Sequence, residues 1–266
     1  METLMTSLPE ANPHEFAGRV ALVTGAAGQG IGRAVATRLL AGGADVVITD
    51  VHGGRVKKVS DELKALNAGG QVLGLVLDVT QFTEADGVAR EVQRQLGPVT
   101  VLVNNAAYNV MAPIWEYRPE DWARVMDTNI NGPWYLSKVC MTQMRQAGGG
   151  SVVNVSTIAP DVGGLGIEGP YAVSKGGLNA LTRSCAHEGG PFNIRVNTVT
   201  MGLVRGTRFT DVLHPEMVPA AMEASPLKGL PEAADIAEAV AFLASDRARF
   251  ITGETLNVSA GEHMRY

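Results

Sequence analysis

The sequence predicts a doubly wound α/β fold: one seven-stranded parallel sheet with helices on both faces, built as a single domain. Three observations predict it. Short apolar, β-branched runs alternate with helical patterns from Arg19 onward. Seven such runs can be counted, one short of the eight that the alternative, an α/β barrel, requires. No Pro/Ser-rich linker or composition break divides residues 18–266, so they read as one domain with a substrate loop at about 203–230. Residues 1–17, with Pro9 and Pro13, read as a flexible polar tail.

Each element follows from its pattern. RVALVTG (19–25) is a buried strand ending in glycine, and IGRAVATRLLAGG (31–43) is a helix stopped by glycines. ADVVITD (44–50) is the second strand, followed by a helix whose apolar face is Val56, Val59, Leu63 and Leu66. QVLGLVLDV (71–79) is the third strand, and Val88, Val92 and Leu96 mark the next helix. VTVLVNN (99–105) is the fourth strand. One long helix is expected from about Pro119 to Gln146, opened by Pro-Glu-Asp in its first turn. SVVNVST (151–157), a helix over 171–188, NIRVNTVT (193–200), a helix over 231–245 and TLNVS (255–259) complete the chain. Parallel strands joined by right-handed helical crossovers are the expected assembly.

Composition excludes several classes. The 266 residues are 45% hydrophobic and 18% charged, which is globular rather than disordered. A net charge of −5 and an aromatic content of 5% argue against nucleic-acid binding. Cys140 and Cys185 are too few for a disulfide framework or a zinc site, so no metal is expected and a reducing, cytoplasmic setting fits. No apolar run approaches the ~18 residues of a membrane span. The first 17 residues lack a basic start and an apolar stretch, so no signal peptide is expected.

The glycines are concentrated where chemistry is expected. The first strand runs into Thr24-Gly-Ala-Ala-Gly-Gln-Gly-Ile-Gly32 and then a helix. Such a turn lets backbone approach a pyrophosphate while the helix N-terminus supplies free N–H groups. Asp50 ends the second strand, 20 residues after Gly30. A carboxylate there accepts hydrogen bonds from ribose hydroxyls and repels a 2′-phosphate, which favours NAD over NADP. Arg33 and Arg55 count the other way, since either could reach a phosphate. Asp78 ends the third strand, where it meets the adenine edge or caps the next helix.

Taken in order, TGAAGQGIG, Asp50, LDVT (77–80), NNAA (104–107), Asn129, NVST (154–157), YAVSK (171–175), IRVN (194–197) and ITGETLNV (251–258) resemble the short-chain dehydrogenase/reductase family, over about residues 18–262. The resemblance implies a Rossmann fold and a nicotinamide cofactor. It implies cofactor contacts from Gly25, Gln29, Gly30, Ile31, Gly32, Asp50, Asp78, Val79, Asn105, Ala106, Val204 and Thr207, together with Tyr171 and Lys175. It also implies an NAD-dependent alcohol dehydrogenase/ketone reductase that needs no metal. An NADP-dependent 3-oxoacyl reductase is the nearest alternative. A catalytically weak NAD-binding sensor or partner protein is an alternative of another class.

The chemistry of Tyr171 and Lys175 can be argued directly. They stand at i and i+4 on one helix face. A phenol has a pKa near 10, too high for a base at neutral pH, but a neighbouring ammonium favours the phenolate, as does an oxidised nicotinamide. Tyr171 can then take the proton of a substrate hydroxyl as hydride leaves. The family's substrate-orienting hydroxyl falls on Thr157 in preference to Ser156, although Thr157 precedes Tyr171 by 14 residues, one more than is usual. Asn129 falls on the fourth catalytic position. Pro133, four residues on, has no N–H to give its carbonyl, which frees that oxygen for a water bridging to Lys175.

The sequence departs from the family pattern in four places. Gln29 is interpolated in the glycine turn, Ala107 replaces a glycine, Met201-Gly202 stands for Pro-Gly, and Ser-Ala-Gly (259–261) stands for Asp-Gly-Gly.

Tyr108, Val110, Trp115, Pro160, Val162, Met201, Phe209, Met217 and Met222 are expected to line the substrate pocket. They suit a medium-sized apolar or cyclic secondary alcohol. Asp161, Glu168 and His214 could read a polar group, but as loop charges they are expected to be solvated. Trp134, Val139, Met141 and Met144 on the long helix, with Leu178, Leu181 and Cys185 on the next, point to self-association: a homotetramer first, a dimer second.

Overall fold

The computed structural model describes residues 11–207, 210 and 216–264, so Phe209, His214 and residues 1–10 lie outside the described residues. Its seven strands are β1 (Val20–Thr24), β2 (Asp45–Asp50), β3 (Val72–Val76), β4 (Val101–Asn104), β5 (Gly150–Val155), β6 (Ile194–Met201) and β7 (Thr255–Val258). They lie in the order β3-β2-β1-β4-β5-β6-β7, and every pair is parallel. The helices are α1 (Ile31–Ala41), α2 (Gly53–Lys64), α3 (Phe82–Gln95), α4 (Pro119–Met126), α5 (Gly132–Gln146), the single turn α6 (Ala159–Val162), α7 (Gly169–Gly189), α8 (Met217–Ala224) and α9 (Ala233–Ala244).

The apolar runs are unbroken because both faces of the sheet are covered. Ala21 and Val23 of β1 pack with Val35 and Leu39 of α1 and with Ile236 and Val240 of α9. Val20 and Leu22 point the other way, against Val88 and Val92 of α3 and Leu136, Cys140 and Met144 of α5. Chain order reverses at β1, which has β2 on one side and β4 on the other. In such a sheet the crevice for a ligand opens at the carboxyl ends of the strands, beside that reversal.

Three expectations need correction. The helix expected over 119–146 is two helices separated by a π turn at Asp127–Asn131, where the Gly132 N–H bonds the Asp127 carbonyl. Pro133 removes the regular bond to the Asn129 carbonyl, and the turn before it widens so that each bond spans five residues instead of four. Gly132 also needs its bareness, since a Cβ there would lie 2.9 Å from the Val79 carbonyl oxygen.

The tail is not loose throughout. Phe16 is only 1% exposed, and its N–H donates to the Gly42 carbonyl at 2.7 Å. It fills space that a Cβ on Gly42 would occupy, 2.6 Å from the ring. Glu15 pairs with Arg38 at 2.6 Å. A lone phenylalanine in polar sequence thus finds its partner in a glycine pair that also ends α1.

Not all the apolar residues assigned to self-association face outward. Met144 and Leu178 are buried in the core, while Trp134 stays 44% exposed.

Candidate active site

The glycine turn is fixed by backbone requirements. Gly25 has φ 63° and Gly30 has φ 150°, conformations that L side chains rarely adopt. A Cβ on Gly32 would sit 2.5 Å from Asn105 Nδ2 and 2.6 Å from the Gly25 carbonyl oxygen. Asn105 locks the turn to β4, donating from Nδ2 to the carbonyls of Thr24 and Gly25 at 2.8 and 3.1 Å. The backbone N–H groups of Asn105 and Ala106 both donate to Thr24 Oγ1 at 3.0 Å. The interpolated Gln29 is exposed, so the extra residue bulges outward without disturbing this lock.

Helix α1 starts at Ile31 with no side-chain cap and no acid in its first turn. The N–H groups of Ile31, Gly32 and Arg33 therefore lack intrahelical partners, an arrangement that could hold an anion. Thr207 closes the turn from the far side: its Cγ2 lies 4.0 Å from the place a Gly30 Cβ would take. Its hydroxyl, like that of Thr210, donates to the Val204 carbonyl, which pins the loop after β6. Uncapped donors and a cradle without Cβ atoms fit a pyrophosphate.

Asp50 sits at the end of β2 with its side chain 10% exposed. It accepts from the His52 N–H at 3.1 Å and from Arg55 at 3.0 Å. Arg33 pairs with Glu62 at 2.7 Å. Both arginines that could have answered a 2′-phosphate are thus already paired with carboxylates. Asp78 accepts from the N–H and hydroxyl of Thr80 at 3.0 and 2.8 Å, while its own N–H donates to Glu84. It shapes the turn before α3 rather than capping the helix, whose N-cap is Gln81. Val79 is buried beneath the π turn.

Three elements converge at the other side of the cleft. Asn129 is fully buried in the π turn. Its Oδ1 accepts from the Tyr108 N–H at 2.8 Å, and its Nδ2 donates to the Tyr108 carbonyl at 2.9 Å and to Ser174 Oγ at 3.0 Å. Ser174 in turn donates to the Tyr171 carbonyl at 2.7 Å. The asparagine side chain therefore clasps the loop after β4 to the helix that carries Tyr171 and Lys175. Sequence reasoning looked to the Asn129 carbonyl and missed this clasp.

Lys175 is 2% exposed and donates to the Val155 carbonyl at 2.8 Å. Its ammonium lies 5.6 Å from the centre of the Tyr171 ring. Burial lowers its pKa to about 8. The Tyr171 phenol is raised above its ordinary value, by burial first and by the Glu168 charge second. Burial therefore works against the pull of the neighbouring ammonium toward the phenolate.

The two candidate hydroxyls separate clearly. Ser156 is 2% exposed, with its hydroxyl against the Lys175 carbonyl at 3.4 Å. Thr157, half-buried at the mouth of β5, donates to the Met201 carbonyl at 3.1 Å. Met201 itself, expected at the pocket, packs in the core at 4% exposure. Trp115 is 82% exposed.

Glu168 was expected to be solvated and is instead 6% exposed, accepting from Asn109 Nδ2 at 2.7 Å. Burial raises its carboxyl above the usual range. Glu262, which sequence reasoning also missed, reaches back to accept from the Leu203 N–H at 3.3 Å and fills the space a side chain on Gly202 would need. Next to it, His263 lies 3.4 Å from Asp161. No local signal announces either carboxylate, since their neighbours come from distant segments. The described residues contain no group of three or more His, Cys, Asp or Glu placed to hold a metal. No helix among them is long and apolar enough to cross a membrane.

Comparison with known proteins agrees with this geometry. A family profile described as enoyl-(acyl carrier protein) reductase matches residues 25–263. An uncharacterised short-chain type dehydrogenase/reductase of Sinorhizobium fredii is 35% identical over 246 residues, covering 92% of this chain and 97% of that one. The 3-oxoacyl-[acyl-carrier-protein] reductase FabG of Salmonella typhimurium is 35% identical over 249 residues, covering 94% and 99%. A crystal structure of a candidate short-chain alcohol dehydrogenase from Sinorhizobium meliloti superposes with a TM-score of 0.87 at 29% identity, covering 94% of this chain and 98% of that one. With matches along almost the whole length of the chain, it belongs to the short-chain dehydrogenase/reductase family of oxidoreductases.

Proposed function

We propose that this oxidoreductase transfers a hydride between NAD and a medium-sized apolar or cyclic secondary alcohol or its ketone. The observation that carries the reading is the convergence of Tyr171, Lys175 and Asn129, in a chain that also has the glycine turn after β1 and Asp50 at the end of β2. A nicotinamide held there would supply the hydride acceptor or donor. Tyr171 takes the proton from the substrate hydroxyl, or gives it to the carbonyl oxygen in reduction. The Lys175 ammonium stabilises the phenolate and holds the nicotinamide ribose. Thr157 turns its hydroxyl from the Met201 carbonyl to the substrate oxygen. Asn129 keeps the β4 loop and α7 in register. The 3-oxoacyl reductase reading is kept alive by the 35% identity to FabG. Assaying a panel of secondary alcohols and 3-oxoacyl thioesters with both cofactors separates the two. No turnover of any secondary alcohol or ketone overturns the first.

Asp50 supports NAD over NADP. Asp50→Ala is expected to weaken NAD binding about tenfold, through loss of two ribose hydrogen bonds of about 0.5–1.5 kcal/mol each. The same change frees Arg55, now held at 3.0 Å by Asp50, to meet a 2′-phosphate. NADP binding therefore improves as NAD binding falls. Calorimetry on both proteins reads this directly, and a wild type that binds NADP more tightly than NAD defeats the assignment.

A homotetramer, with a dimer as second choice, is supported by apolar side chains left outside the core. Trp134 on α5 and Val173 on α7 are 44% and 54% exposed, and Trp122 on α4 is 41% exposed. The free thiols Cys140 and Cys185 suit a reducing cytoplasm. Light scattering is expected to report a multiple of the 28.0 kDa chain. A 28.0 kDa particle at micromolar concentration rules out both assemblies.

A further inference from the structure

Glu168 is a buried carboxylate that no lysine, arginine or histidine pairs with among the described residues, and Asn109 Nδ2 is the one donor its side chain has there. A carboxylate offers about four acceptor sites, so most of its capacity is unused. The other end of the same pair is also unfilled: Asn109 Oδ1 is buried without a hydrogen-bond partner. A buried acceptor short of a donor, beside a carboxylate with capacity to spare, calls for an outside donor, because leaving such a group unsatisfied is costly.

The surroundings say where that donor comes from. One flank is bridged by protein: the Ala112 N–H donates to the Ile167 carbonyl at 2.9 Å, and the Tyr117 hydroxyl is shared between the Val110 and Ile167 carbonyls at 2.8 and 2.7 Å. The inner side belongs to the proposed catalytic groups. Asn109 follows Tyr108, whose backbone Asn129 clasps, and Glu168 stands three residues before Tyr171, at the N-cap of the same helix.

We infer that Glu168 and Asn109 form a polar subsite of the substrate pocket that accepts a hydrogen bond from a second hydroxyl of the substrate, making a diol or hydroxyketone the preferred substrate class. This rests on the dehydrogenase reading and narrows it. A neutral donor fits, whereas a carboxylate or phosphate on the substrate would be repelled by Glu168.

The test compares cyclohexanol with each positional isomer of cyclohexanediol. Turnover is measured with NAD on the wild type, Glu168→Gln and Glu168→Leu. Binding is measured by calorimetry on Tyr171→Phe saturated with NAD, which holds the alcohol without reacting. At least one diol is expected to exceed cyclohexanol by about tenfold or more in both kcat/KM and affinity, as a site built for a hydroxyl rejects the analogue lacking it. That ratio is expected to fall about tenfold in either Glu168 variant. Glu168→Gln, nearly isosteric, keeps the test alive if Glu168→Leu does not fold. A diol-to-cyclohexanol ratio near one in the wild type, or one unchanged by both variants, overturns the subsite and leaves a water-filled recess. Diol-selective binding without turnover in the wild type defeats the dehydrogenase reading and upholds the subsite. Turnover without diol preference does the reverse.

Discussion

Tyr171→Phe is expected to lower kcat by a factor of about 10²–10⁴ while NAD still binds. That range is what a positioned general acid–base group contributes. Phenylalanine preserves the ring beside Lys175, whose ammonium lies 5.6 Å from the ring centre, and removes only the hydroxyl. The geometry around it predicts more than a loss of rate. Burial and the Glu168 charge both raise the phenol, so wild-type oxidation rises with pH as Tyr171 gives up its proton. The variant has no such group, and its residual rate loses that limb. Stopped-flow measurement of the first turnover across pH checks both features. A variant that keeps more than about a tenth of wild-type kcat overturns the acid/base assignment.

How much of this was legible in the sequence follows from the range of the interactions involved. The strands were legible because sheet burial on both faces leaves an unbroken apolar run such as Val20–Thr24, readable without knowing any partner. The glycine turn was legible for a similar reason. At Gly25 and Gly30 the constraint is the residue's own φ. Tyr171 and Lys175 share one helix face, so their spacing alone brings them together.

The unread features depend on partners far along the chain. Phe16 finds Gly42, and Glu168 finds Asn109, 59 residues away. Glu262 finds Leu203, likewise 59 residues away. Pro133 announced a disturbance at Asn129, but a missing N–H does not say whether the helix kinks or widens. The answer required Gly132 to seat against Val79. Thr157 was preferred to Ser156 by position alone, and the physical difference between them comes from β5 ending at Val155, which leaves the Ser156 hydroxyl against the Lys175 carbonyl and that of Thr157 against the Met201 carbonyl.

Lys175→Met is expected to cost about 10²-fold or more in kcat/KM and, unusually for a catalytic substitution, to change the pH dependence of folding. The buried ammonium has its pKa lowered from the ordinary 10.5 to about 8, because burial disfavours its charged form. Below pH 8 the lysine is protonated in both folded and unfolded chains, and the folded protein carries the desolvation penalty. Between about pH 8 and 10.5 the folded protein has shed the proton while the unfolded chain still holds it. Stability rises with pH wherever the unfolded state binds more protons, so the wild type gains on the methionine variant across that window. At 1.36 kcal/mol per pKa unit the gain is on the order of 2–4 kcal/mol. Methionine keeps the apolar stem but not the bond to the Val155 carbonyl, a fixed loss that does not depend on pH. The slope therefore isolates the ammonium. Urea unfolding of both proteins at intervals from pH 7 to 10 measures the gap directly. A gap that stays flat, or moves in the variant's favour as pH rises, means that Lys175 is not held in the folded protein as a desolvated cation, and its assigned role beside Tyr171 falls with it.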